Sequence, residues 1–301
     1  MEKTELEGME PIQDLLELTL NSAYVRGERT VSLLVVAEPE SGKTELMKKY
    51  RKNNGVHIRR RFTAYGILTD LIQGKIHTLF NKPKILGHIL VYDYSSIFAY
   101  KPNTVDSTIE FLDALTEEGL SLESSYWIKG DELKKFEGLK GGLIAGINTF
   151  GFFTSTGKVK ANLYKGGWFS RNVVVSFGMS AQLISKVFDS IRKGNYRYDR
   201  NFVSRIALKL PRKRIEVNLP KGLSEEIEEL AREIAEEYSE DLKPHRLKGF
   251  RLHKSLISLV KASALRDGVR KVEEEDVERI RYLSNWMNLK MRKLKLKYPF
   301  A

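Results

Sequence analysis

Apolar residues in the first two thirds of the chain fall in short continuous runs, while those near its end fall at helical spacing. Val31-Ser-Leu-Leu-Val-Val36, His57–Arg61, Gly87-His-Ile-Leu-Val-Tyr-Asp93, Leu143-Ile-Ala-Gly-Ile-Asn148 and Asn172-Val-Val-Val-Ser-Phe177 read as strands. Between them, Glu45–Tyr50, Tyr65–Gln73 and Thr104–Glu118 read as helices, the last with Ile109, Leu112 and Leu115 on one face. Pro11–Tyr24 reads as a lead-in helix, and Leu120–Gly142 as a Gly- and Lys-rich hairpin. Strands alternating with helices predict an α/β layer with a mostly parallel sheet. From Leu223 onward the pattern is purely helical: Ser224–Tyr238, Arg251–Arg266 and Glu273–Lys290. Gly268 stops the second of these, and Val272-Glu-Glu-Glu-Asp276 opens the third with carboxylates that complement the helix dipole. The expected organisation is an α/β core over residues 1–200 and a small all-α domain over 201–301 that ends in a basic tail.

One strand-to-helix turn carries chemistry. Ala37-Glu-Pro-Glu-Ser-Gly-Lys-Thr44 is a phosphate-binding loop in all but its first glycine. In such a loop the backbone of Ala37, Glu38, Pro39, Glu40, Ser41, Gly42 and onward to Glu45 surrounds the phosphates, each residue but Pro39 offering an N–H. Lys43 reaches the β/γ-phosphates and the Thr44 hydroxyl holds Mg²⁺. The expected ligands are therefore ATP and Mg²⁺. A carboxylate from a neighbouring strand completes the metal's water shell, and Asp93, after Ile89-Leu-Val-Tyr92, suits that role. The following residue, Tyr94, is no general base near neutral pH because a phenol titrates near 10. Glu38 and Glu40 offer carboxylates inside the loop, where they also repel phosphate.

Composition narrows the classes. The 301 residues include no cysteine, which excludes disulfides, thiolate metal sites and a cysteine nucleophile. The five histidines show no ligand spacing. There is no long apolar run, and Met1-Glu-Lys-Thr-Glu-Leu-Glu is too acidic for a signal peptide, so a cytoplasmic protein without a membrane partner is expected. The net charge of +12 favours a polyanionic partner, nucleic acid (DNA or RNA) first and acidic membrane or protein surfaces behind it. Cations cluster at Arg59-Arg-Arg61, Arg192-Lys193, Arg197, Arg200, Arg205, Lys209, Arg212-Lys-Arg214 and Lys290–Lys297, while the acid sits mostly in Ser224–Asp241.

These pieces resemble the AAA+ ATPases, and within them the motor module of the minichromosome maintenance (MCM) helicases, over roughly residues 10–285 as a scatter of motifs. Tyr24–Val36 is similar to the family's lead-in, and the loop keeps its acidic-Pro pair. By that resemblance Asn148 is sensor 1, orienting the lytic water, and Arg171 in Gly167-Trp-Phe-Ser-Arg171 is the arginine finger that acts on the next subunit's nucleotide. Arg251, opening the helix to Ala264, is the sensor 2 arginine of a lid. The resemblance implies a DNA-acting ATPase in a homo-oligomeric ring, with protein partners in a replication or mobile-element system. DNA-contacting insertions would fall in Gly66–Lys84 and Leu120–Lys140, the latter carrying Lys129, Lys134, Lys135 and Lys140. The chain departs from the pattern at Ala37 and Tyr94, the second of which argues for slow hydrolysis. Two other readings follow from the same residues: a protein-remodelling ATPase of the MoxR sort, or a nucleotide-gated assembly scaffold.

Overall fold

The computed structural model describes residues 8–59, 63–121, 131–149, 167–193, 205–241, 247–294 and 299–300. Its centre is a sheet of β1 (Leu33–Ala37), β2 (Val56–Arg59), β3 (Phe80–Asn81), β4 (Lys84–Val91), β5 (Lys140–Asn148) and β6 (Val173–Phe177). The main strands run parallel in the order β2-β4-β5-β1-β6, and only β3 is antiparallel, against β4. The chain leaves β1 for the far edge, then steps back from β5 across β1 to β6. All residues of β1 and β6 are buried, as expected of parallel strands whose runs are continuously apolar.

Helices α1 (Glu10–Ser22), α2 (Lys43–Lys49), α3 (Ala64–Ile72) and α4 (Pro102–Thr116) accompany the first four main strands. α4 packs on β5 and α3 packs on α4. Ile109, Leu112 and Leu115 are all buried, matching their predicted shared face. A short helix α5 (Trp168–Arg171) precedes β6, and α6 (Ala181–Arg192) follows it. α7 (Lys221–Asp241), α8 (Phe250–Arg266) and α9 (Glu274–Leu283) complete the fold, with α8 packed against α1, α7 and α9.

Three results differ from the sequence expectation. α6 was not expected, although Ser180 caps it by accepting from the Leu183 N–H. The last helix ends at Leu283 and not at Lys290: a 3-10 turn (Ser284–Trp286) follows, and Met287, at φ −78° and ψ 60°, leaves the helical region. The hydrophobic core is continuous across the expected domain junction, which itself falls in 194–204, outside the described residues.

That continuity has a physical cause at β6, the edge of the sheet. An edge strand carries unpaired backbone groups that must be covered. The Tyr238 hydroxyl of α7 donates to Val174 O (2.8 Å) and accepts from Val174 N–H (2.9 Å). Further along, Ser176 Oγ accepts from Met291 N–H, and Gly178 bridges to Lys293. The helical region thus closes the edge that the sheet leaves open. No helix among the described residues is long and apolar enough to cross a membrane.

Candidate functional site

The sheet register aligns the groups at its carboxyl edge. Ala37 pairs with Asn148 on one side and with Phe177 on the other. Val91 pairs with Ala145, so Asp93, two residues on, lies level with Ile147. In open parallel sheets ligands bind outside the carboxyl ends, where the strand order reverses. Here the reversal is around β1, and the loop Glu38–Gly42 sits directly beyond it.

The loop is built for close backbone approach. Glu40 and Gly42 both take left-handed backbone, at φ 63° and 79°. Glycine does this freely, but for Glu40 it costs roughly 1–3 kcal/mol, a strain concentrated at functional sites. Ala37 is extended strand, so its methyl group is tolerated where a glycine was expected. Glu38, Pro39 and Glu40 are exposed, which keeps the two carboxylates in water. Ser41 is buried, 3% exposed, and its Oγ has no hydrogen-bond partner among the described residues. A buried hydroxyl left unpaired is costly, and a ligand oxygen in the loop would satisfy it. Thr44 opens α2 beside Lys43, and Glu45 is held by Lys48 at 2.5 Å.

Lys43 lies folded onto the neighbouring strand end. Its Nζ donates to Ile147 O (2.7 Å) and to Asn148 Oδ1 (3.0 Å), and only 5% of the residue is exposed. Burial lowers its pKa to about 8, with the Asp93 charge opposing that shift. The stem has room because residue 146 is glycine. A Cβ there would stand 2.6 Å from Tyr92 O and 3.2 Å from Lys43 Cε. Gly146 is a site residue that sequence reading missed. A glycine inside an apolar strand, one strand away from the loop, was the available signal.

Asp93 is exposed and caps the 3-10 turn Tyr94–Ala99. Its Oδ1 accepts from Ser95 N–H and Ser95 Oγ, which fixes the carboxylate while Oδ2 makes no hydrogen bond among the described residues. Tyr94 points the other way, into the core, with no exposed surface. Its phenol is pushed well above 10 by burial and by Asp113. Both position and acidity remove it from water chemistry at the loop. Among the described residues no group of three or more His, Cys, Asp or Glu gathers as a metal cage. A Mg²⁺ held chiefly by phosphates and water, with Thr44 and Asp93 as its protein groups, needs none.

Arg171 and Arg251 come together, but away from the loop. Arg171 ends α5, two residues before Val173, which pairs with Leu33 at the start of β1. Four residues of strand rise separate that level from Ala37, roughly 13 Å, and Arg171 lies beyond the far end of β6. At this opposite edge, Glu117 beyond α4 receives Arg171 Nε (3.1 Å) and Arg251 Nε (2.6 Å), with Arg29 at 3.9 Å. Arg171 also pairs with Asp113 (3.3 Å), and Arg251 donates to Ser170 Oγ (3.0 Å). Burial raises the Asp113 carboxyl to about 6 against the pull of Arg171, and the Glu117 charge adds to the rise. Arg29 is lowered by burial, with Arg171 and Arg251 contributing as like charges. Glu117, Asp113 and Arg29 carry no motif that would have marked them in the sequence.

The basic clusters divide by partner. Arg59 pairs with Asp70, Arg192 with Asp189, and Lys290 and Arg292 with Glu237. Arg214 turns inward and donates to Val25 O and Glu28 O. Arg60, Arg61, Lys129, Arg197, Arg200 and 295–297 lie outside the described residues. Two sets of residues thus define the molecule: Ser41, Lys43, Asp93 and Asn148 at the carboxyl edge, and Arg171, Arg251 and Glu117 at the other. No known protein-family model matches the chain, and no curated protein does.

Proposed function

We propose that the chain is an ATP- and Mg²⁺-binding P-loop ATPase of the AAA+ kind, acting on DNA as a homo-oligomer whose sites are shared between subunits. The observation that carries the nucleotide reading is the convergence of Lys43, Asn148 and Asp93 around a loop with a buried, unpaired Ser41 hydroxyl. Bound Mg²⁺ would neutralise charge on the phosphates. Lys43 would exchange its hydrogen bonds to Ile147 O and Asn148 for phosphate oxygens, freeing the Asn148 amide to orient a water. Asp93, held by Ser95, would accept from the metal's water shell. Arg171 and Arg251 meet at the opposite edge of the sheet from their own loop, which supports delivery to a neighbour's site.

Turnover is slow in this reading, because Tyr94 is buried and no carboxylate stands at its position. Nucleotide occupancy then acts mainly as an assembly and conformational signal. The test is ATP binding and hydrolysis with and without single- and double-stranded DNA, read beside oligomer mass. Tight Mg²⁺-ATP binding lost in Lys43→Ala, with larger assemblies in ATP, is the expected result. Turnover indifferent to DNA would reject the DNA-acting part, and absence of nucleotide binding would reject the whole.

A further inference from the structure

Six cations without a partner among the described residues gather on one ridge. Residues 205–210 run extended along the end of α2, where Ile206 N–H donates to Lys49 O (3.1 Å). The Asn53 amide clasps the same backbone: its Nδ2 donates to Ile206 O and its Oδ1 accepts from Leu208 N–H, both at 2.8 Å. Ile206, Leu208 and Leu210 pack inward, and the alternation turns Arg205 and Lys209 out to solvent. Arg212 and Lys213 are exposed just beyond Pro211, and Arg51 and Lys52 precede Asn53. Among the described residues none of these six cations has an ion-pair or hydrogen-bond partner for its side chain. Glu216 is the sole carboxylate between residues 205 and 218. The contrast is the α8–α9 region, where Arg270, Lys271 and Arg281 are interspersed with Asp267, Glu273, Glu274 and Glu275.

We propose that this ridge, Arg51-Lys52 with Arg205, Lys209, Arg212 and Lys213, binds the phosphodiester backbone of nucleic acid without reading its sequence. Outward side chains on an extended segment recur every ~6.7 Å, so Arg205 and Lys209, with Ala207 between them, stand ~13 Å apart on one line that can follow a chain of phosphates. The inward apolar residues are committed to the core, so no apolar wedge remains for a lipid surface. No aromatic side chain stands among the six for bases to stack on, so the contact is electrostatic. The ridge also lies at the opposite end of α2 from Lys43, ~10 Å away along a seven-residue helix. The proposal deepens the DNA-acting reading and rests on it for the class of partner.

The test compares R205Q/K209Q/R212Q/K213Q with a charge-matched control, K254Q/R270Q/K271Q/R281Q, both at exposed positions. Affinity for a labelled 30-nucleotide single strand and its duplex is measured across a salt series, with ATP affinity as the check on fold. For the ridge variant the log–log salt slope falls by roughly 2.8 on the single strand and 3.6 on the duplex. The control changes by less than 1 and both variants bind ATP as the wild type does. Equal losses in the two variants would overturn the ridge while leaving the DNA-acting reading intact. Wild-type protein that binds neither nucleic acid at 50 mM salt would overturn both. Wild-type binding to phosphatidylserine vesicles but not to nucleic acid, abolished in the ridge variant alone, would replace the proposal with a membrane surface.

Discussion

The Lys43 ammonium donates to Asn148 Oδ1 at 3.0 Å, joining the start of α2 to the end of β5 across the carboxyl edge of the sheet. This contact occupies both groups expected to meet a nucleotide. Its consequence is electrostatic: Lys43 is buried, and its pKa falls to about 8. Phosphate binding needs the ammonium, so ATP affinity declines as pH rises through 8. Isothermal titration between pH 6.5 and 9.5 measures this, and a flat profile would reject a direct Lys43–phosphate contact.

The same shift makes a stability prediction. Between pH 8 and the ordinary lysine pKa near 10.4, the unfolded chain binds more protons at this position than the folded one. Stability of the ligand-free protein therefore rises with pH over that interval, and below pH 8 the buried charge is a cost. Lys43→Met removes that cost, so the variant unfolds at a higher temperature than wild type at pH 7, with the gap closing by pH 10. Thermal melts at the two pH values decide it. A variant less stable at pH 7 would mean that the hydrogen bonds to Ile147 and Asn148 outweigh desolvation.

Gly146→Ala tests the room left for the Lys43 stem. The added methyl group would lie 2.6 Å from Tyr92 O, a backbone atom held in place by the sheet, and 3.2 Å from Lys43 Cε. Overpacking of this kind typically costs about 1–3 kcal/mol. Chemical denaturation measures that loss, and ATP affinity falls at the same time because Lys43 is displaced. A variant as stable as wild type with unchanged affinity would remove Gly146 from the site.

Much of this edge was legible in the sequence because it is local. Strand β1, the loop and α2 are contiguous, and their glycine, lysine and threonine are a compact signal. Asp93 and Asn148 were legible because each ends a continuous apolar run. The Glu117 cluster was not, since its members come from residues 29, 113, 117, 171 and 251, and only folding brings them together. Helix α6 was missed for another reason. Leu183, Ile184, Val187, Phe188 and Ile191 have helical spacing, yet Ile184, Phe188 and Ile191 remain exposed. The spacing was present, but a short segment directly after a strand gave no second cue.

Tyr94→Phe separates burial from catalysis. The side chain is fully enclosed and faces Asp113, not the loop. Removing the hydroxyl should leave ATP turnover within about twofold of wild type, since the enclosed phenol has no route to a lytic water. Steady-state hydrolysis at saturating ATP is the measurement, and a tenfold fall would return the hydroxyl to the mechanism.

Asp113 titrates where the ion cluster can be watched. Its folded pKa of about 6 lies above the ordinary aspartate value of 3.8, so the folded protein binds the extra proton between those limits. Stability therefore falls as pH rises from 4 to 6 on account of this group. Asp113→Asn removes that contribution, and its melting temperature should depend less on pH over the interval than that of wild type. An unchanged slope would place the titration elsewhere.

The separation of the two edges predicts complementation between subunits. Arg171 lies at the opposite edge of the sheet from its own loop and is held there with Arg251, which is 43% exposed at its side chain. If arginine and loop act across an interface, Lys43→Ala and Arg251→Ala each abolish turnover for different reasons: one subunit lacks the phosphate grip, the other the donated cation. Mixing them creates some interfaces with an intact loop from the Arg251→Ala chain and an intact arginine from the Lys43→Ala chain. Turnover should reappear in the mixture, rising with total concentration as assemblies exchange. Arg251 is the better position to mutate first, because truncating Arg171 would leave Asp113 and Glu117 short of a buried partner at a cost of about 3–5 kcal/mol. Mixtures that stay inactive while exchanging subunits would show that each chain completes its own site, and the two edges would then need separate explanations.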